Sequence, residues 1–135
     1  MTQTFACHTI SEGTAEGEAL CSNDAICFYL VEPETGVVIE PGHALEGKSV
    51  AGKVLIFPNG KGSSVVQADG LFQLLKNGKA PKALITASAD TTLVASAIIL
   101  EIAMCDRLGD DFYQTVTNGD IVRVDSDTAS VEVMS

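Results

Sequence analysis

The sequence has no tryptophan, only two tyrosines and two arginines, Arg107 and Arg123, and no C-x-x-C pair among its four cysteines. The shortage of cations argues against nucleic acid as a partner, because phosphate backbones are gripped by clustered Lys and Arg. Eight such residues here face eighteen acidic ones, for a formal net charge of −10. That balance also disfavours an anionic membrane, and it reads as solubility rather than as a demand for a basic partner. Cys7, Cys21, Cys27 and Cys105 lack the spacing of a zinc site or a local iron-sulfur ligand set. Set among apolar neighbours, as in AICFYL and IAMCDRL, they are expected to be reduced, mostly buried fillers. The start, MTQTFACHTISEG, has no basic region followed by an apolar one. The longest apolar run, Leu93 to Ala103, is broken by Ser96 and Glu101 and falls short of the about 20 residues of a spanning helix. The expectation is a soluble cytoplasmic protein with no metal site of its own.

What is present is Val, Ile, Leu, Ala and twelve glycines in 135 residues, enough for one β-rich or mixed domain spanning 1–135. The first third reads as strands and turns: TFACHTI, a Gly-punctuated GTAEGEALCS, then AICFYLV, with EPETG as a turn before VVIEPGHALEG. Val54-Leu55-Ile56-Phe57 is a continuous apolar run, expected as a central strand buried on both faces. Apolar spacing predicts a helix over Ser64 to Lys76, with Gly70 as a local cost and Asn77-Gly78 as its stop. Ala83 to Ala87 reads as another strand, and Asp90 as the N-cap of a helix through LVASAIILEI. IVRVD and SVEVM alternate as a half-exposed hairpin, which leaves Arg123 facing solvent.

The stretch richest in chemistry is GKVLIFPNGKGSS, Gly52 to Ser64. A strand stopped by Pro58 runs into a glycine turn and delivers Ser63 and Ser64 to a helix start. Unpaired backbone N–H groups there carry positive partial charge and can stabilise a developing alkoxide. Lys61 adds a mobile cation. The plainer alternative is that Gly60 and Gly62 only permit the turn and that Ser63 or Ser64 is an ordinary N-cap, worth about 1 kcal/mol. The run is not a phosphate-binding loop, since Gly62 follows Lys61 where that motif needs Ser or Thr.

Over nearly the whole chain, PGHALEGKSVAGKVLIFPNGKGSS, LLKNGKAPKALI, ASADTTLVASAIILEIAMCDRL and NGDIVRVD resemble the small subunit, or swivel domain, of the aconitase X group. The resemblance implies a mixed α/β, swivelling β/β/α domain with a barrel-like sheet and two or three helices. Such a domain closes over an iron or iron-sulfur site carried by a large subunit, with no cofactor held by the small one. In citrate-using aconitases the matching loop reads G-x-G-S-S-R-E, and its first serine takes the substrate proton. By resemblance Ser63 is the base, Lys61, Gly62 and Ser64 contact substrate or support the loop, and a large catalytic subunit is the partner. Val65 stands in place of the loop arginine, so citrate is not expected.

The resemblance thus implies a heteromeric hydro-lyase acting on a small hydroxy acid. Removal of a proton beside a carboxylate needs a placed base, and loss of hydroxide needs a Lewis acid. Dehydration of cis-3-hydroxy-L-proline is the first expectation. Mevalonate 5-phosphate comes second, because its phosphate wants cations that this subunit supplies sparsely. Two other classes stand beside these: a phosphohistidine swivel domain, which GKGSSVVQ disfavours by lacking histidine, and a non-catalytic binding module. His8 and His43 read as surface and turn residues, and Asp106-Arg107 as a local or interdomain ion pair.

Overall fold

The computed structural model describes residues 2–134, apart from the side chain of Ser64. Eight strands, β1 (Thr2–Ala6), β2 (His8–Ser11), β3 (Thr14–Cys21), β4 (Val54–Phe57), β5 (Ala83–Thr86), β6 (Ala103–Asp106), β7 (Ile121–Asp125) and β8 (Ser130–Met134), lie in the order β1-β8-β7-β3-β4-β5-β6-β2. Three helices, α1 (Ser64–Lys76), α2 (Thr91–Ile99) and α3 (Asp110–Thr115), complete the fold.

Strands β4, β5 and β6 run parallel and are buried at every position. Alternation divides their side chains between two cores. Val54, Ile56, Ile85 and Cys105 meet the valines of β7 and β8, together with Phe5 and Phe112. Leu55, Phe57, Leu84 and Met104 meet Leu71 and Leu74 of α1 and Leu93 and Ala97 of α2. A sheet, a second sheet and a helical layer result, the expected β/β/α arrangement. Each of these leucines is fully buried, so truncating Leu84 to Ala should cost about 2–5 kcal/mol.

The chain crosses between the two sheets at two corners. The first part of β3, Thr14–Glu18, pairs antiparallel with β7, and its end, Ala19–Cys21, pairs parallel with β4. Likewise β1 pairs with β8 and β2 with β6, with Cys7 alone between them. The two edge strands are therefore consecutive in the chain, and the sheet wraps toward a barrel.

Three expectations are corrected. AICFYLV is not a strand: Ile26 makes one bridge, Phe28–Leu30 form a 3-10 turn, and Val31 makes another bridge. The backbone of this segment lies against α1, where a Cβ on Gly70 would come within 2.5 Å of the Phe28 carbonyl carbon. The glycine that weakens α1 by about 1 kcal/mol is thus what lets the two backbones meet. Helix α2 stops at Ile99 instead of continuing through Ile102. Glu101 takes φ +58°, and its N–H and that of Ile102 reach back to the Ile98 and Ala97 carbonyls, a Schellman stop that turns the chain into β6. Helix α3 was not expected; its buried Phe112 meets Phe5 edge to face at 5.5 Å and plugs the core between the sheets. Among the described residues no helix is long and apolar enough to cross a membrane.

Candidate active-site loop

Between β4 and α1, residues 58–63 leave the carboxyl edge of the parallel strands, the edge where open α/β sheets hold ligands. The base of this loop is anchored on two sides. Toward β5, the Pro58 carbonyl accepts from Ala87 and Ser88 N–H at 3.1 and 2.9 Å. Toward the 22–28 segment, Asn59 O accepts from Ile26 N–H at 3.1 Å, and Lys61 N–H donates to Ile26 O at 3.0 Å. Gly60 N–H donates to Asp90 Oδ2 at 3.1 Å.

Gln67 braces the same place from inside α1. It is 1% exposed, its Oε1 accepts from Phe28 N–H at 2.7 Å, and its Nε2 donates to Ile26 O at 3.2 Å. A Cβ on Gly60 would lie 2.5 Å from Gln67 Nε2 and 3.0 Å from Asp90 Oδ2, so only glycine fits. Sequence reading passed over Gln67. The available signal was a polar residue at the start of the buried stripe that continues through Leu71 and Leu74.

The tip differs from the base. Gly62 takes φ +109°, beside the Cys27 thiol, a backbone region closed to residues with a Cβ. Ser63 is extended and N-caps α1: its carbonyl accepts from Gln67 N–H at 3.0 Å, and its Oγ accepts from Val66 N–H at 3.4 Å. That second bond is at the long limit for an N–H donor, and Ser63 is exposed. The positive end of the α1 dipole lies at this hydroxyl. Val65 is 75% exposed and supplies no charge. Ser64 opens α1, and its side chain lies outside the described residues.

Lys61 is less free than expected. Its Nζ donates to Glu40 Oε2 at 2.6 Å, which ties the loop to the long β3–β4 connection and offsets its charge. Beside the loop base, a cleft of about 440 Å³ is lined by Ser22, Asn23, Pro58, Asp110 and Tyr113. Burial pushes the Tyr113 hydroxyl up, aided by Cys105 and Asp106. Among the described residues no three His, Cys, Asp or Glu side chains are placed to hold a metal ion.

Other sequence candidates fall elsewhere. His43 lies in a turn as expected, and it is buried at 7% exposure: its Nε2 donates to Ala25 O at 2.9 Å while Nδ1 accepts from Leu45 N–H at 3.0 Å. Both ring nitrogens of a neutral imidazole are thereby occupied. His8 is exposed as expected, but its Nδ1 meets Asp106 Oδ1 at 2.8 Å, so the partner of Asp106 is His8. Arg107 is exposed with φ +58° and, among the described residues, has no acidic group within 4 Å. Only Cys105 is fully buried, the other three cysteines being half-buried. A hydrogen bond from the Cys105 thiol holds Cys7 below the ordinary thiol range, and the same bond, with burial, pushes Cys105 up.

Residues 4–133 match the family model described as aconitase X swivel domain. The small subunit of phosphomevalonate dehydratase from Methanococcoides burtonii is 45% identical over 129 residues, 95% of this chain and 93% of that protein. Its counterpart from Methanocella arvoryzae is 49% identical over 127 residues, 93% of this chain and 96% of that protein. In the crystal structure of holo-form aconitase X from Thermococcus kodakaraensis, a chain of 39% identity superposes with a TM-score of 0.89, covering 98% of this chain and 99% of that one. Sequence and fold agree, and the chain belongs to the aconitase X swivel domain family.

Proposed function

We propose that this chain is the small subunit of an aconitase X-type dehydratase acting on mevalonate 5-phosphate, with Ser63 as its base. The observation that carries the reading is the state of Ser63: an exposed hydroxyl with one long cap bond, at the tip of a loop whose base is fixed at Pro58, Asn59, Gly60 and Lys61. A serine hydroxyl is a weak base until its alkoxide is stabilised. Here the N–H groups at the start of α1 point their positive end at Oγ, an arrangement fixed before substrate arrives. Ser63 then takes the proton from the carbon beside the substrate carboxylate. Gly62 supplies the positive-φ turn that presents Ser63, Ser64 continues the row of N–H groups, and Lys61 with Glu40 sets the outer wall of the loop.

The side chains described here do not fit an iron or iron-sulfur centre, since no ligand set converges. The Lewis acid that draws off hydroxide is therefore assigned to a large subunit, and the active site to the contact between the two. The small-subunit names of the relatives support this division of labour.

The substrate preference changes from the one the sequence suggested. Cis-3-hydroxy-L-proline came first because cations were scarce, and the Lys61–Glu40 pair makes them scarcer. Relatives 45% and 49% identical over nearly the whole chain are nevertheless phosphomevalonate dehydratase small subunits, which favours the alternative and leaves the phosphate to be held by the large subunit. The phosphohistidine reading loses its one buried candidate, because both nitrogens of His43 are in use. The test is to reconstitute the chain with its large subunit and assay mevalonate 5-phosphate beside cis-3-hydroxy-L-proline. Dehydration of the phosphate ester is expected. Turnover of hydroxyproline alone would overturn the substrate, and a chain that captures no large subunit would favour a binding module.

A further inference from the structure

The carboxylate of Asp90 is shared between two tasks. Oδ1 accepts from Leu93 N–H at 2.9 Å and caps α2, a task that Ser or Asn performs equally well. Oδ2 accepts from Gly60 N–H at 3.1 Å, a bond that α2 does not need. Among the described residues, Asp90 is the one side chain outside the loop that bonds the backbone of residues 58–63 directly. Gly60 is buried, packed between Asp90 and Gln67, three residues before Ser63. Beyond it the chain makes one more backbone bond, at Lys61, before turning at Gly62.

We infer that Asp90 is a positioning residue for the serine base: through Gly60 it sets where the loop starts its turn and hence where Ser63 Oγ stands. The inference rests on the Ser63 reading. It requires a carboxylate at position 90 and not merely an N-cap. An asparagine has one acceptor oxygen for two N–H donors, and a serine hydroxyl reaches only the cap, so Asp90→Asn and Asp90→Ser keep α2 and release Gly60. Misplacement of a reacting group by about 1 Å lowers rate on the order of 100-fold, which bounds the effect from above.

The test uses the reconstituted complex for kinetics and the full-length small subunit for amide exchange by NMR. Both variants should assemble, and should melt several degrees below the parent because the buried Gly60 N–H loses its acceptor. Their kcat should fall on the order of 10- to 100-fold with KM nearly unchanged, and the Gly60 amide should exchange at least about 10-fold faster. A role confined to capping would leave melting temperature, Gly60 protection and kcat per assembled complex all close to the parent's, since Asn and Ser cap as well as Asp. The inference is overturned if either variant turns over within about two-fold of the parent, or if Gly60 protection is unchanged. Ser63→Ala, run beside them, separates the two claims: if it is inactive while Asp90→Asn is fully active, only the Asp90 inference falls; if it is active, the serine base falls first.

Discussion

Two neighbouring βα units begin their helices differently. At α2, Asp90 spends both carboxylate oxygens, one on Leu93 N–H and one on Gly60 N–H. At α1, Ser63 makes one side-chain bond at 3.4 Å and faces solvent. Both residues are N-caps on the same sheet edge, where a helix offers unpaired donors. One is consumed by the architecture and the other is left available. The general lesson is that a cap residue becomes a candidate base when its own cap bond is poor and the segment before it is fixed by something else.

The contrast can be broken or sharpened by a series of stability measurements, read as urea unfolding of the free chain. Asp90→Ala should cost most, about 3 kcal/mol, by losing the cap and leaving the buried Gly60 N–H without an acceptor. Gly60→Ala should cost about 2 kcal/mol, because the new methyl meets the Gln67 amide at 2.5 Å and neither neighbour can withdraw without losing a bond. Lys61→Ala should cost at most about 1 kcal/mol, shrinking in high salt, since it removes a half-exposed ion pair with Glu40. Ser63→Ala should be mildest, about 0.5 kcal/mol, the low end for an exposed cap. If Ser63→Ala instead matched Asp90→Ala, the two caps would be alike and the contrast would disappear.

Much of this site could be read in the sequence because local chemistry decides it. The V-L-I-F strand, its stop at Pro58, helix α1 from Ser64 to Lys76, the Asn77-Gly78 end and the Asp90 cap follow from apolar runs, turn residues and caps. The IVRVD–SVEVM hairpin follows from alternation. What was misread depends on contacts distant in sequence. AICFYLV has strand composition, but Gln67 takes the Phe28 N–H and Gly70 admits its backbone, so tertiary packing overrides propensity. His43 is the turn residue it looks like, but its burial depends on Ala25, eighteen residues away, whose carbonyl takes its ring N–H. Helix α3 is six residues long, too short for periodicity to reveal. Position 63 was legible as a serine at a helix start. That its cap bond is weak, and that Asp90 and Gln67 hold the loop beneath it, was not.

The most direct test is the dehydration rate of the large-subunit complex carrying Ser63→Ala, with assembly and melting temperature checked on the same sample. The account predicts an assembled complex, nearly as stable as the parent, whose turnover of mevalonate 5-phosphate is lower by on the order of 100- to 10,000-fold, as expected for a missing general base. Turnover close to that of the parent would show that Ser63 is a helix cap and nothing more.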